Sequence, residues 1–207
     1  MSTDVTRDFA FGLPKAELHL HLEGTLEPDL KLALARKNGV DIGQSTVEEV
    51  QATYQFNDLT SFLAVYYPAM DVLQDEDDFH DLAAAYFERA RANGVVRAEC
   101  FFDPQAHTSR GIAIETVIRG YHRAVVEARE AGLSADLILC FLRDMSAESA
   151  LETLQAALPY KDMFIGVGLD SDERDNPPTK FAEVFALARE AGLHVTMHCD
   201  IDQVGSI

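Results

Sequence analysis

Basic residues are scarce in this chain: Lys and Arg number 17 against 35 Asp and Glu in 207 residues, a formal charge of −18. Such a charge repels phosphate backbones and anionic lipid, so nucleic-acid polymers and membrane surfaces are excluded as partners. Long hydrophobic runs are missing too. No segment reaches the roughly 18 apolar residues a membrane helix needs, and the first residues carry neither an apolar stretch nor a small-residue cleavage site. Cysteine is sparse and odd in number. Cys100, Cys140 and Cys199 lie far apart, each in an apolar run, which excludes a disulfide framework and predicts buried thiols in a reducing compartment. The expected location is the cytoplasm. No glycine-rich phosphate loop follows the first apolar run, which argues against a nucleotide-binding doubly wound sheet.

What the chain does have is an ordinary globular composition, 47% hydrophobic and 25% charged, and residues 1–207 read as a single domain. Short apolar runs at Glu17–Leu22, Val95–Phe102, Ala135–Leu142, Phe164–Leu169 and His194–Cys199 read as strands. Between them, Phe79, Leu82, Ala83, Tyr86, Phe87 and Ala90 recur at helical spacing, as do Ile114, Val117, Ile118, Tyr121 and Val125. Asn93-Gly94 and the Ala-Gly-Leu triplets at 131–133 and 191–193 mark helix C-caps leading into strands. Strand and helix alternate without a hairpin signal, which predicts a parallel sheet clad in helices. His19, His21, Asp103, Arg143, Asp144, Asp170, Ser171 and His198 all fall at or just past a strand's C-terminal end. Functional groups from every strand converging on one rim is the arrangement of a (β/α)₈ barrel, and that is the expected fold.

The span from Thr25 to Asn93 is too long for one crossover and predicts a helical insert after the first strand. One helix would be capped by Thr25, carry Pro28 in its first turn and end at Asn38-Gly39. A second would place Leu59, Phe62, Leu63, Tyr66 and Met70 on one face, capped by Asn57 or Asp58. On the histidine rim that face would roof a pocket for a flat substrate; core packing is the competing reading. The acidic run Asp75–Asp78 reads as a solvated helix start, where carboxylates favour the helix dipole.

The run Ala16-Glu17-Leu18-His19-Leu20-His21-Leu22-Glu23-Gly24 carries the most chemistry. Side chains alternate along a strand, so His19 and His21 share one face while Leu18, Leu20 and Leu22 fill the other. Two imidazoles on one face, beside a carboxylate and a glycine turn, form a metal grip. Zinc suits neutral imidazole, with iron and manganese as alternatives.

HLHLEG on the first strand resembles the zinc-binding signature of the adenosine and adenine deaminase family within the amidohydrolase superfamily. FFDPQAHTSRG at 101–111 and GLDSDERDNPPTKF at 168–181 are similar to segments of its adenine deaminase branch. The resemblance runs from about Leu13 to the end of the chain, with the motifs in order on successive strands. It implies one zinc ion per subunit, held by His19, His21 and His198, and hydrolytic deamination of a 6-aminopurine in purine salvage. The substrate would be adenine, a modified adenine or adenosine, with His21, Glu23, Asp170 and Ser171 at the purine and Leu20 packed into the layer outside the barrel. It gives no role to Asp103, His107 or Arg143, while His80, His122 and His194 read as surface or packing residues.

The sequence departs from that pattern in two places. The family reads His-Ala-Gly-Glu after strand five, with the glutamate donating a proton to the ring; here the run is His198-Cys199-Asp200-Ile201-Asp202. An aliphatic side chain carries no proton, so either Asp200 or Asp202 is the candidate donor, or the loop differs in register, or the chemistry is altered; helix capping is the alternative use of both aspartates. The second departure is length. A closed barrel has eight strands and five are read here, so the expectation is a piece of a roughly 340-residue enzyme, without the family's later histidine and Asp-Asp pair. The competing readings are a noncatalytic zinc- or purine-binding remnant and an amidohydrolase with another substrate. Against the latter, Gly168-Leu169-Asp170 offers no lysine to bridge two metals.

Overall fold

The structure is a computed structural model that describes residues 2–199, with side chains from residue 6 onward. Strands β1 (Lys15–His21), β2 (Val95–Phe102), β3 (Ser134–Leu142), β4 (Gly166–Asp170) and β5 (His194–Val195) form one sheet in sequential order, every pairing parallel. This is an arc of five units of the expected barrel, with helices on its outer face. Nine α-helices occur among the described residues: α1 (Ser2–Gly12), α2 (Pro28–Asn38), α3 (Val47–Ala52), α4 (Leu59–Ala69), α5 (Glu76–Ala92), α6 (Pro104–Thr108), α7 (Ile114–Glu130), α8 (Ala147–Ala157) and α9 (Ala182–Glu190). None of them is long and apolar enough to cross a membrane.

The main core lies between sheet and helices. α5 buries Phe79, Leu82, Ala83, Tyr86, Phe87 and Ala90, and α7 buries Val117, Ile118, Tyr121 and Val125, the apolar stripes of the sequence. Gly94, Gly132 and Gly192 take positive φ at the ends of α5, α7 and α9, which turns each helix into the next strand. Where α5 and α7 cross, a Cβ on Gly120 would sit 2.5 Å from the Glu76 carbonyl oxygen and 2.6 Å from Phe79 Cβ. Neither atom is the end of a flexible side chain. Alanine in a helix gains about 1 kcal/mol over glycine, but overpacking costs about 1–3 kcal/mol and rises when backbone must move. Gly120→Ala is therefore expected to lower the thermal midpoint; a midpoint at or above wild type in a melt would refute the close crossing.

Several local expectations change. Thr25 does not cap α2; it lies in a 3₁₀ turn, Leu22–Thr25, where its hydroxyl donates to the Leu22 carbonyl. Glu27 takes the N-cap position and Pro28 the first turn. α4 is capped by Asp58, whose carboxylate accepts from Ser61 N at 2.8 Å. Met70 falls past its end and is buried in the core. The acidic run is only partly solvated: Asp75 caps α5, while Asp78 is fully buried and accepts from Lys37, Asn38 and two backbone amides.

β1 is irregular. Glu17 pairs with Ala98 and Leu20 with Cys100, so one extra residue is inserted in β1 between them. Glu17 accepts from Tyr86 of α5 on the outer face. Leu18 instead lines an inner-face cavity with Phe101 and Ile138 and is 54% exposed. Leu20 and Leu22 pack on the outer core. Strict alternation therefore fails at Leu18.

Candidate metal centre

β1 carries His19 and His21 at the rim, and β5 runs on to His198. β5 is assigned over only two residues, yet Thr196 N donates to Val167 O at 3.0 Å and His198 N to Leu169 O at 2.9 Å. That extension brings the three imidazoles together. His198 Nε2 lies 2.8 Å from His19 Nε2 and 3.0 Å from His21 Nε2. Phe101 supports the cluster from the next strand, its ring stacked on His21 at 5.1 Å between centroids.

Behind His21, Nδ1 lies 3.2 Å from Asp170 Oδ2 and 3.9 Å from Asp103 Oδ1. Both carboxylates are buried, and Oδ1 of each has no hydrogen-bond partner among the described residues. Burial pulls the His21 imidazole down, but the two carboxylates outweigh it and lift it to about 10. Burial, then the facing His19 and His21, push His198 down to about 4. Burial and His21 also lower His19. Asp103 is pushed up to about 7 by its burial and by Asp170.

These observations fit a divalent cation. One lone pair on His198 Nε2 cannot satisfy two facing Nε2 atoms as neutral imidazoles, whereas a dication takes a lone pair from each. The carboxylate behind His21 is the outer partner that fixes a ligating ring's tautomer and orientation. The ligand atoms of His19, His21 and His198 all lie within 4.8 Å of one another, as do those of His21, Asp103 and Asp170.

A cavity of about 360 Å³ opens above the cluster. Its far wall is α4, through Leu59, Phe62, Leu63, Tyr66 and Tyr67, and its floor includes Asp103, Asp170 and Ser171. α4 buries none of its residues fully; its apolar face lines the cavity, and Tyr66 and Tyr67 also pack against the main core. Phe62 stacks on Tyr66 at 5.3 Å. Tyr66 OH lies 3.4 Å from Asp103 Oδ2, and Tyr67 OH donates to Ser171 Oγ at 2.8 Å. Ser171 holds that position with a φ of 73°, a left-handed conformation at the end of β4.

Glu23, expected at the purine, lines a neighbouring cavity with Gly24, Phe62 and Tyr66. It is 3% exposed and does not line the cavity above the cluster. Its Oε1 accepts from Asp103 N, His107 Nε2 and Tyr121 OH, each at 3.1 Å. Arg110 donates to His107 Nδ1 at 2.9 Å, so the proton of that ring is on Nε2 and points at Glu23. Glu23 thus braces the Asp103 backbone from behind because the 3₁₀ turn after β1 directs it inward. His21, Asp170 and Ser171 do line the cavity. Asp200 and Asp202 lie outside the described residues.

Sequence reasoning left Asp103, His107 and Arg143 without roles, and all three are fully buried around the site. For Asp103 and Arg143 the position just past a strand end was the available signal, while His107 lies within α6. Glu173, in the loop after β4, is also buried. His80 bonds Asp81 and Glu127 on the helical surface, away from the cluster.

A parallel arc of βα units with a histidine cluster at its C-terminal rim defines a chain of the amidohydrolase barrel class. More narrowly, the chain belongs to the adenosine deaminase family, whose model matches residues 14–201. An adenine deaminase of Geotalea uraniireducens is 57% identical over 187 residues, covering 90% of this chain and 53% of that protein. The crystal structure of adenine deaminase from Arthrobacter aurescens superposes with a TM-score of 0.89 at 50% identity, over 92% of this chain and 58% of that one. An amidohydrolase from Burkholderia ambifaria, crystallised with bound Zn, gives a TM-score of 0.81 at 30% identity, over 96% of this chain and 55% of that one. The chain spans little more than half the length of these relatives.

Proposed function

We propose that the protein hydrolyses the exocyclic amine of a 6-aminopurine to the 6-oxopurine and ammonia, in purine salvage in the cytoplasm. The substrate is adenine or a modified adenine ahead of adenosine, and one zinc ion per subunit is held by His19, His21 and His198. The observation that carries this reading is the convergence of three imidazoles under an aromatic wall, in a chain of the adenosine deaminase family. Bound there, zinc supplies Lewis acidity and lowers the pKa of a water towards about 7.

The chain's own residues do the rest. Asp170 accepts a hydrogen bond from Nδ1–H of His21 and so presents Nε2 as the metal-binding atom. Phe62 and Tyr66 offer flat faces to a purine, and Leu59 and Leu63 keep water from the ring. Ser171, held by Tyr67, offers a polar atom at the ring edge. Asp200 and Asp202 are the candidate proton donors. The names of the relatives, the Zn in the Burkholderia ambifaria structure and the buried thiols Cys100 and Cys140 support the reading.

An ammonia-coupled assay on the zinc-loaded complete product of the gene, with adenine, N6-methyladenine and adenosine, tests it. Adenine is expected to turn over fastest, chelation to abolish turnover and added zinc to restore it. A folded, zinc-loaded protein that releases no ammonia from any of them overturns the proposal and leaves the noncatalytic reading. Cleavage of an amide or ester in its place would establish a different amidohydrolase.

A further inference from the structure

Arg143, just past β3, is the largest fully buried side chain among the described residues. Its Nε donates to Asn176 O at 2.9 Å and its Nη1 to His198 O at 2.9 Å, with the buried Glu173 carboxylate 3.8 Å from Nη1. The Arg143 backbone is fixed as well: its N donates to Asp170 O at 3.0 Å, and its carbonyl accepts from Lys180 Nζ at 2.9 Å. Nη2 is buried without a hydrogen-bond partner among the described residues. An ion pair so buried, with a nitrogen unsatisfied, stabilises no better than apolar side chains of similar volume. What only a planar guanidinium supplies is two donors in a rigid fork, here joining the loop after β4 to the end of β5.

His198 needs that support. β5 pairs with β4 as a strand over two residues only, and beyond them the hydrogen bond from His198 N to Leu169 O holds the peptide unit before His198. Arg143 holds the carbonyl on the other side, and between these anchors the imidazole is aimed at His19 and His21.

We propose that Arg143 is a positioning residue for the metal centre, which sets the orientation of His198 through its main-chain carbonyl and thereby the zinc affinity of the cluster. This rests on the reading of His19, His21 and His198 as metal ligands. Lysine keeps the charge but carries its donors on one nitrogen at the end of a flexible stem, without the two separate nitrogens that the rigid guanidinium places at Asn176 O and His198 O.

The test is zinc affinity by competition with a chromophoric chelator, together with the visible spectrum of the cobalt-substituted chain, for wild type, R143K, the double variant R143Q/E173Q and K180M. R143K is expected to bind zinc about 10- to 100-fold more weakly, the range for lost outer-shell support, and to shift the cobalt bands while keeping the wild-type circular dichroism. The double variant removes both charges of the buried pair, so it leaves no uncompensated ion and reports the same loss if R143K does not fold. K180M loosens the same loop through the Arg143 carbonyl but leaves the guanidinium, and its zinc affinity is expected to stay within threefold of wild type. A folded R143K or double variant with wild-type affinity and cobalt spectrum overturns the proposal, as does an equal loss in K180M. A wild-type chain that binds no zinc overturns the ligand reading itself.

Discussion

His198→Ala is expected to weaken zinc binding by roughly 100-fold or more, because it removes a proposed ligand outright and not merely its support. The remaining pair, His19 and His21, comes from one strand, and nothing else among the described residues brings a third imidazole to them. Zinc that binds only the folded chain stabilises it by RT ln(1 + [Zn]/Kd), about 2.7 kcal/mol at a hundredfold excess over Kd. Added zinc should therefore raise the thermal midpoint of wild type and leave that of the variant nearly unchanged. Without metal the order should close or invert. His198 is packed against two other imidazoles in a partly desolvated setting that pushes its own protonation down to about 4, so its removal relieves crowding. Stoichiometric zinc in H198A after dialysis, at an affinity within tenfold of wild type, would show that the metal sits elsewhere.

The second large effect concerns stability alone. Asp78→Ala should cost about 3 kcal/mol, since it removes a fully buried carboxylate that accepts from Lys37, from Asn38 Nδ2 and from the amides of Gln74 and Asp75. Asp77, one residue away, pairs on the surface with Arg123, and its replacement should cost less than about 1 kcal/mol. Asp75→Ala should fall between them at about 1 kcal/mol, the usual worth of an N-cap. Urea unfolding of the three variants gives the ranking directly. Equal costs for Asp77 and Asp78 would mean that the acidic run is solvated along its whole length.

Asp78 also illustrates what sequence patterns miss. Four consecutive acidic-run residues at a helix start look equivalent in one dimension, and their distinction comes from Lys37 and Asn38 at the end of α2, about forty positions earlier. Glu23 is a similar case. A carboxylate two residues past a metal-type histidine gives no sign in one dimension of its partners, and the 3₁₀ turn carries it inward to His107 and Tyr121 from α6 and α7. Leu18 failed for a third reason, an inserted residue in β1 that alternation cannot register.

The strands and the helix stripes were legible because burial of one face imposes a period of 2 or 3.6 on the sequence, and those periods survive without knowledge of any partner. So was the grip itself: His19 and His21 share a face for reasons local to β1. The sequence by itself determined the order of βα units, the rim on which polar groups gather and the chemistry of the first two candidate ligands. Only the tertiary structure decided that His198 meets them, that Asp170 stands behind His21, that α4 walls the cavity and that Arg143 grips the His198 carbonyl. Those contacts join residues from separate units of the arc, and their distances depend on sheet curvature, strand register and a left-handed residue at Ser171, none of which leaves a periodic trace in the chain.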